Sequence, residues 1–349
     1  MTHLALLTVR NEAAFLLEWL AHHRAVGFGD FVVFSNDCED GTDTMLDRLA
    51  DLGWLTHIRN DGPHDKGGIQ FTAMKRAAKL DPVKTADWIL ALDIDEFVNI
   101  HVGDGTLSAL HDALPDATAI TLTWRLFGNN GEVRYRDRPV TESFPKAAPE
   151  LLYWPWRASM FKTLYRNDGT YAKPGVHRPR DPDQDRLADA RWYDSHGRPL
   201  DDQFKTRRVF SNFGRANYGL AQINHYALGA MESYVLKAAR GRAVHAGDVL
   251  GMDYWVERNF SSHDDPSIRR YDAARDAHLT ELKSDPNLLE LHENAVAWRK
   301  QKFEALMMEE PYRALFGRLL MTPPTRPVGQ KAAQFMVAFA NRAKAAQAQ

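Results

Sequence analysis

Residues 88–99, WILALDIDEFVN, end an apolar run on three carboxylates, Asp93, Asp95 and Glu96. Apolar β-formers that stop at an Asp-x-Asp step read as a buried strand carrying two acids to its C-terminal tip. Side chains i and i+2 of an extended segment share a face, so Asp93 and Asp95 are expected to point the same way. Adjacent carboxylates repel unless a cation sits between them or one takes a proton. Hard oxygen ligands at such a tip suit Mn2+ or Mg2+, whose shells are completed by water and phosphate oxygens. The chemistry to expect is a metal–diphosphate site.

The elements that must position these acids are legible upstream. Residues 4–9 are a short apolar run suited to a buried parallel strand, and Arg10, Asn11 and Glu12 follow it. Phe15, Leu16, Trp19, Leu20 and His23 then recur at helical spacing. Residues 31–34 read as a second strand, closing on Ser35, Asn36 and Asp37. Asp40-Gly41-Thr42-Asp43 offers turn chemistry and a helix N-cap ahead of Met45, Leu46 and Leu49. A third strand over 54–58, a helix over 69–80 and the strand ending at Asp93 continue the alternation. This pattern predicts an α/β fold with a mostly parallel sheet flanked by helices. Ligands of such sheets bind beyond the strands' carboxyl ends, where Arg10, Asn11, Asp37, Asp93 and Asp95 should gather.

After residue 100 the pattern changes. Residues 119–124 form a strand, a Gly-Asn-Asn-Gly turn follows at 128–131, and residues 130–218 are rich in Arg, Asp, Pro, Gly and aromatics. That composition favours ordered, functional loops over helices. Helical patterning returns at 231–241 and 287–320. The tail beyond Pro323 closes on an amphipathic helix bearing Phe335, Met336 and Phe339. The expected division is a catalytic region over 1–230 and a C-terminal helical region over 231–349.

With 349 residues, 44% of them hydrophobic, the chain can bury a full core. Its net charge of −2 gives no general attraction to nucleic acid. A single cysteine, Cys38, excludes an internal disulfide and a cysteine metal cluster, and fits a reducing compartment. The start MTHLALLTVRNE lacks a secretory pattern, and no apolar run reaches the roughly 20 residues that span a bilayer. A cytoplasmic protein is expected, with peripheral contact at the inner face of a membrane left open.

Read in order, LLTVRNEAAFLLEWLAHHRAVGF, NDCEDGT, GGIQF and ILALDIDEF resemble the GT-A-type glycosyltransferases of family 2, in the branch related to family ninety-two. WRLFGNNG, VHRP, INHY, SYVLKAARGRA and DDPSIRRY are similar to that branch too, so the resemblance runs from residue 3 to about 271. It implies a GT-A-like fold that moves a sugar from a nucleotide-diphosphate donor, uridine-linked, to a hydroxyl on a glycan or lipid-linked acceptor. It implies Mn2+ or Mg2+ held by Asp95, with Asp93 acting through water or the ribose and His225 of INHY completing the shell. Nucleotide contacts are implied at Thr8, Arg10, Asn11 and Glu12, and at Asp37 for base or ribose. Gln70 and Lys66 fall in the loop ahead of the metal strand.

The same resemblance offers Lys162 and Arg240 to the departing diphosphate and puts His177 near the pocket. For the catalytic base it suggests Glu142 in VTESF, then Asp265 in HDDP. Glu132 stands where a histidine is expected. Trp124, Tyr153, Trp154 and Trp156 are candidates for stacking on sugar rings, although tryptophans more often pack; Trp19, His22 and His23 read as packing. Two other functions compete. Haloacid-dehalogenase-type phosphotransfer or phosphatase chemistry also uses Asp-x-Asp, but expects its nucleophile on the first strand. A catalytically silent sugar-nucleotide-binding protein would carry the same contacts without turnover.

Overall fold

The computed structural model describes residues 1–347 apart from Pro63, Asp65, Lys66 and residues 242–249. Lys66, a sequence candidate, therefore lies outside the described residues. Six strands are labelled here: β1 (His3–Val9), β2 (Asp30–Ser35), β3 (Thr56–Arg59), β4 (Trp88–Leu92), β5 (Glu96–Ile100) and β6 (Ala119–Leu126). Helices α1 (Ala13–Val26), α2 (Thr42–Asp51) and α3 (Ile69–Ala77), with the short helix Asp81–Thr85 after α3, separate the early strands.

Among the described residues, nine strands form one sheet. Its order is β3-β2-β1-β4, then Phe161–Arg166, β6, Ala221–His225 and β5, with Trp192–Asp194 beside β6. The first four strands are parallel. Phe161–Arg166 runs antiparallel to both β4 and β6, which makes those two parallel to each other. Ala221–His225 follows the direction of β6, and β5 returns against it. The carboxyl ends of β1, β2, β4 and Ala221–His225 thus finish along one edge, where Phe161–Arg166 begins. The expected α/β class with a mostly parallel sheet, flanking helices and a helical C-terminal region is the fold observed.

Alternation along β1 explains why the helices pack on both faces. Leu4 and Leu6 pack with Val32, Phe34, Ile89, Ala91 and Met74 of α3 on one side. Ala5, Leu7 and Val9 pack with Leu16, Leu17 and Leu20 of α1 and with Met45 of α2 on the other. Each fully buried Leu contributes about 1.5–3 kcal/mol, so a one-residue slip of β1 would cost both layers. Gly27 ends α1 in the left-handed region (φ 115°), its N–H donating to the carbonyls of His23 and Arg24.

Two local expectations are corrected. Gly41, not a side chain, occupies the N-cap of α2. Asp40 instead accepts from the Ala13 and Thr42 N–H groups, each at 3.0 Å, and so ties the starts of α1 and α2 together. The helix read over 287–320 is two helices, Pro286–Met307 and Glu310–Met321. Pro311 lies in the first turn of the second, where its missing N–H costs nothing, and it cannot continue the first. The tail helix Gln330–Gln347 leaves Phe335, Met336 and Phe339 substantially exposed. Among the described residues no helix is long and apolar enough to cross a membrane.

Candidate functional site

At the common edge β4 stops at Leu92, and residues 93–95 turn directly into β5. The Glu96 N–H donates to the Asp93 carbonyl at 3.1 Å, and the Asp93 N–H donates to Glu96 Oε2 at 2.9 Å. The indole N–H of Trp19 is shared between the Asp93 and Glu96 carbonyls at 3.2 and 3.1 Å. The two aspartates are therefore not i and i+2 of an extended strand, as the apolar run suggested. A pinned turn presents them, and each meets its own partners.

Asp93 accepts from Gln70 Nε2 at 2.9 Å and from Lys162 Nζ at 3.0 Å. Lys162 also stands 3.4 Å from Glu96 Oε2, and both side chains are buried. Burial drives the Glu96 carboxyl well above its ordinary range. Lys162, against its own burial, is held above its usual value by Asp93 and Glu96. It is committed beneath the turn rather than offered to a diphosphate.

Asp95 meets a different cation. Lys237 Nζ donates to Asp95 Oδ2 and to the Ala227 carbonyl, both at 2.7 Å. His225 Nε2 lies 3.7 Å from Asp95 Oδ1. Burial opposes ionisation of Asp95, yet the Lys237 ammonium holds it well below the usual carboxylate range. Burial pushes His225 down to about 4, so the imidazole is neutral; Trp124 packs on it with ring centroids 4.3 Å apart. Among the described residues no three His, Cys, Asp or Glu side chains are grouped to hold an ion. Of the expected trio, Asp93 has both oxygens engaged by Gln70 and Lys162, whereas Asp95 Oδ1 and His225 Nε2 face each other at 3.7 Å.

A cleft of about 460 Å³ opens over this edge, lined by Thr8, Arg10, Gln70, Asp93, Asp95 and His225 among others. His177 also lines it, its Nδ1 2.9 Å from the Phe161 carbonyl. A second cavity of about 330 Å³ lies alongside, walled by the start of α1, residues 132–144 and the helices Met231–Arg240 and Pro286–Met307. Arg10, Glu12, Asp95, Lys237 and Arg240 line both spaces. Arg240 pairs with Glu12 and donates to the Arg10 carbonyl at 2.5 Å, so the partition is itself cross-linked.

Other sequence candidates divide between these places. Asn11 and Asp37 hold positive φ angles of 55° and 47°, unusual for side-chain-bearing residues, at the tips of β1 and β2. Asn11 accepts from the Glu39 N–H at 2.7 Å and faces the second cavity. Asp37 is half exposed, its N–H donating to Asp61 Oδ1 at 2.9 Å, and is not among the cleft-lining residues. Glu142 lies in the short helix Val140–Ser143 and accepts from Arg275 Nη2 at 2.6 Å. Its neighbours Val140, Ser143 and Phe144 line the second cavity. Asp265 borders a separate depression and accepts from Gln222 at 2.9 Å and Ser267 Oγ at 2.5 Å. Tyr153, Trp154 and Trp156 line neither space.

Sequence reasoning passed over Lys237 as an individual residue, although its spacing of three from Arg240 puts both on one helix face. It also read Trp19 as packing alone, whereas its indole braces the turn. The second cavity's far wall, with Trp298, Arg299 and Lys302, carries no local signal.

No family profile matches the chain. Over 150 residues it is 25% identical to a glycosyltransferase family 92 protein of Oryza sativa subsp. japonica, covering 41% of this chain and 24% of that protein. Over 97 residues it is 27% identical to a glycosyltransferase family 92 protein of Ricinus communis, covering 27% of this chain and 16% of that protein. Both of these distant relatives are named glycosyltransferase family 92 proteins. The match spans a quarter or less of the length of either relative. Crystal structures of S. aureus TarS also overlap it. One covers 48% of this chain and 28% of that chain, with a TM-score of 0.30 and 17% identity. TarS 1-349 in complex with UDP-GlcNAc covers 48% of this chain and 46% of that one, with a TM-score of 0.28 and 16% identity. These overlaps are too loose to carry any residue's role across.

Proposed function

We propose that this family 92 relative is a glycosyltransferase that takes a nucleotide-diphosphate sugar, uridine-linked, in the 460 Å³ cleft. The sugar would pass to a hydroxyl on a glycan or lipid-linked acceptor entering from the adjoining cavity. The observation that carries this reading is one charged partition, Asp95 with Lys237 and Arg240 with Glu12, standing between two spaces at the sheet's carboxyl edge. Phosphotransfer of the haloacid-dehalogenase kind is less well supported, because β1, β2 and β3 precede the acid-bearing strand.

Arg10 and Thr8 border the cleft where β1 ends and Gln70 borders it at the start of α3, placing polar groups around the nucleotide. Lys237 and Arg240 supply fixed positive charge where the leaving diphosphate gains negative charge, the kind of preorganised stabilisation that dominates many transfer reactions. The residues also fit a divalent ion in a limited way. Asp95 and neutral His225, 3.7 Å apart, are the residues that would hold it. Mn2+ or Mg2+ held there would act as Lewis acid and template toward the diphosphate. Because Lys237 already answers the charge of Asp95, these residues would hold an ion only weakly without a diphosphate beside them.

For the proton taken from the acceptor hydroxyl, Glu142 is the better placed of the two candidate carboxylates, since its helix borders the acceptor cavity and Asp265 lies apart. The tail supports peripheral contact with an anionic membrane carrying a lipid-linked acceptor. After Glu310 the sequence has six Lys and Arg and no acid, and its last helix exposes Phe335, Met336 and Phe339.

A thermal-shift and hydrolysis screen of UDP-sugars tests the reading. A UDP-sugar with Mn2+ should raise the melting temperature, Mn2+ alone should leave it unchanged, and the shifted donor should be slowly hydrolysed. A shift without any turnover would favour the silent binder. Absence of both would end the proposal.

A further inference from the structure

Arg299, in the wall of the second cavity, has a buried guanidinium with an unusual environment. The residue is 6% exposed. Its guanidinium sits in the corner formed by Phe15 and Tyr135, whose rings meet edge to face, with its carbon 4.5 and 4.9 Å from the two ring centroids. Among the described residues it makes no hydrogen bond and no ion pair, and its Nε is buried without a partner. Burial, with no carboxylate bound to it, lowers its basicity. Aromatic faces return only part of what a desolvated cation loses, and they leave the in-plane N–H donors unused.

The carboxylates nearest in the cavity are spoken for. Glu12 pairs with Arg240, Glu132 with Arg136 and Arg138, and Glu39 with Lys302. Eight Lys and Arg against five Asp and Glu line the space, so its field favours an anion. Trp298 and Tyr312 add ring faces beside it, giving a surface that suits a sugar's apolar face together with its charged substituent.

We propose that this cavity binds an acceptor sugar bearing a carboxylate or phosphate, and that Arg299 receives that anionic group with its guanidinium fork. The planar fork, pre-set by the two rings, matches the paired oxygens of either group. The inference rests on the transferase reading for the word acceptor; the anion site itself does not need it.

The test uses the full chain saturated with UDP and measures binding of four probes: a glucuronate-terminated disaccharide, its glucose-terminated counterpart, galactose 6-phosphate and galactose. The expected result is that one charged probe binds at least about tenfold more tightly than its neutral counterpart, the preference separating the carboxylate source from the phosphate source. Arg299→Met should remove that preference, and Arg299→Lys should restore it only in part. UDP should bind both variants as it binds the parent, which also shows that they fold. Equal binding of charged and neutral probes, no binding of either charged probe, or a preference that survives Arg299→Met each overturns the proposal. Weaker UDP binding in Arg299→Met assigns the guanidinium to the donor phosphates and also overturns it. Failure of UDP to bind the parent chain would instead count against the transferase reading, and the probes would still report on the cavity.

Discussion

The cleft and the cavity share a wall yet settle their charges in opposite ways. In the cleft every acid of the turn has a cation assigned: Asp93 and Glu96 share Lys162, and Asp95 has Lys237. In the cavity a buried cation, Arg299, has no ion pair among the described residues. A space whose acids are neutralised from within is prepared to hold a polyanion together with whatever ion accompanies it. A space with a surplus buried guanidinium is prepared for a single anionic group. The difference teaches that each acid of the Asp-x-Asp turn already meets a lysine, and that the charge it presents to the cleft is set by that neighbour.

The comparison can be broken most severely at Lys162. Lys162→Met leaves Asp93 and buried Glu96 without their cation and should lower unfolding free energy by about 3–5 kcal/mol, read from the urea midpoint. A variant as stable as the parent would mean that the ion pairs beneath the turn carry no weight. Asp95→Asn keeps the shape but releases Lys237. It should reduce kcat for transfer by about 10²–10³ with the circular dichroism unchanged; unaltered turnover would remove Asp95 from the chemistry. Glu142→Gln should cost about 10² in kcat if that carboxylate takes the acceptor proton. Asp265→Asn, remote from both spaces, should leave kcat alone, and the reverse ranking would exchange their roles.

The smallest effect is on pH dependence. Burial brings His3, His22 and His225 down to about 4 from 6.5. Between those values the unfolded chain binds more protons, so the stability these neutral rings confer is present above about 6.5 and lost as pH falls toward 4. Buried Glu18, raised to about 7 from 4.5, acts with the opposite sign: its contribution is present below 4.5 and fades as pH rises through about 7. Histidines lowered by burial, His23 and His177 among them, outnumber the raised glutamates Glu18 and Glu96, which predicts a melting temperature that falls on acidification from 6.5 to 4, measurable by calorimetry. A flat profile would show that these rings are not held neutral.

Much of the donor side was legible because parallel strands announce themselves locally. The apolar runs at 4–9, 31–34 and before Asp93 became β1, β2 and β4 within a residue or two, and the polar residues after them had to fall at one edge. His225 joined them because Ala221–His225 runs with β6. The direction the two aspartates face was not legible, since an apolar run does not say whether it ends in extended chain or in a turn pinned by Trp19. The placement of Glu142 against Arg275, 133 residues away in sequence, was equally invisible.

By itself the sequence determined the order of strands and helices, the apolar layers on both sides of β1 and the collection of acids after β4, because each follows from side-chain periodicity over a few residues. Only the tertiary structure decided which cation each acid meets, which carboxylate stands beside which space, and that Arg299 is buried without an ion pair among the described residues. Those outcomes depend on side chains brought together from distant segments, and electrostatics in a poorly solvated site is set by such neighbours rather than by spacing along the chain.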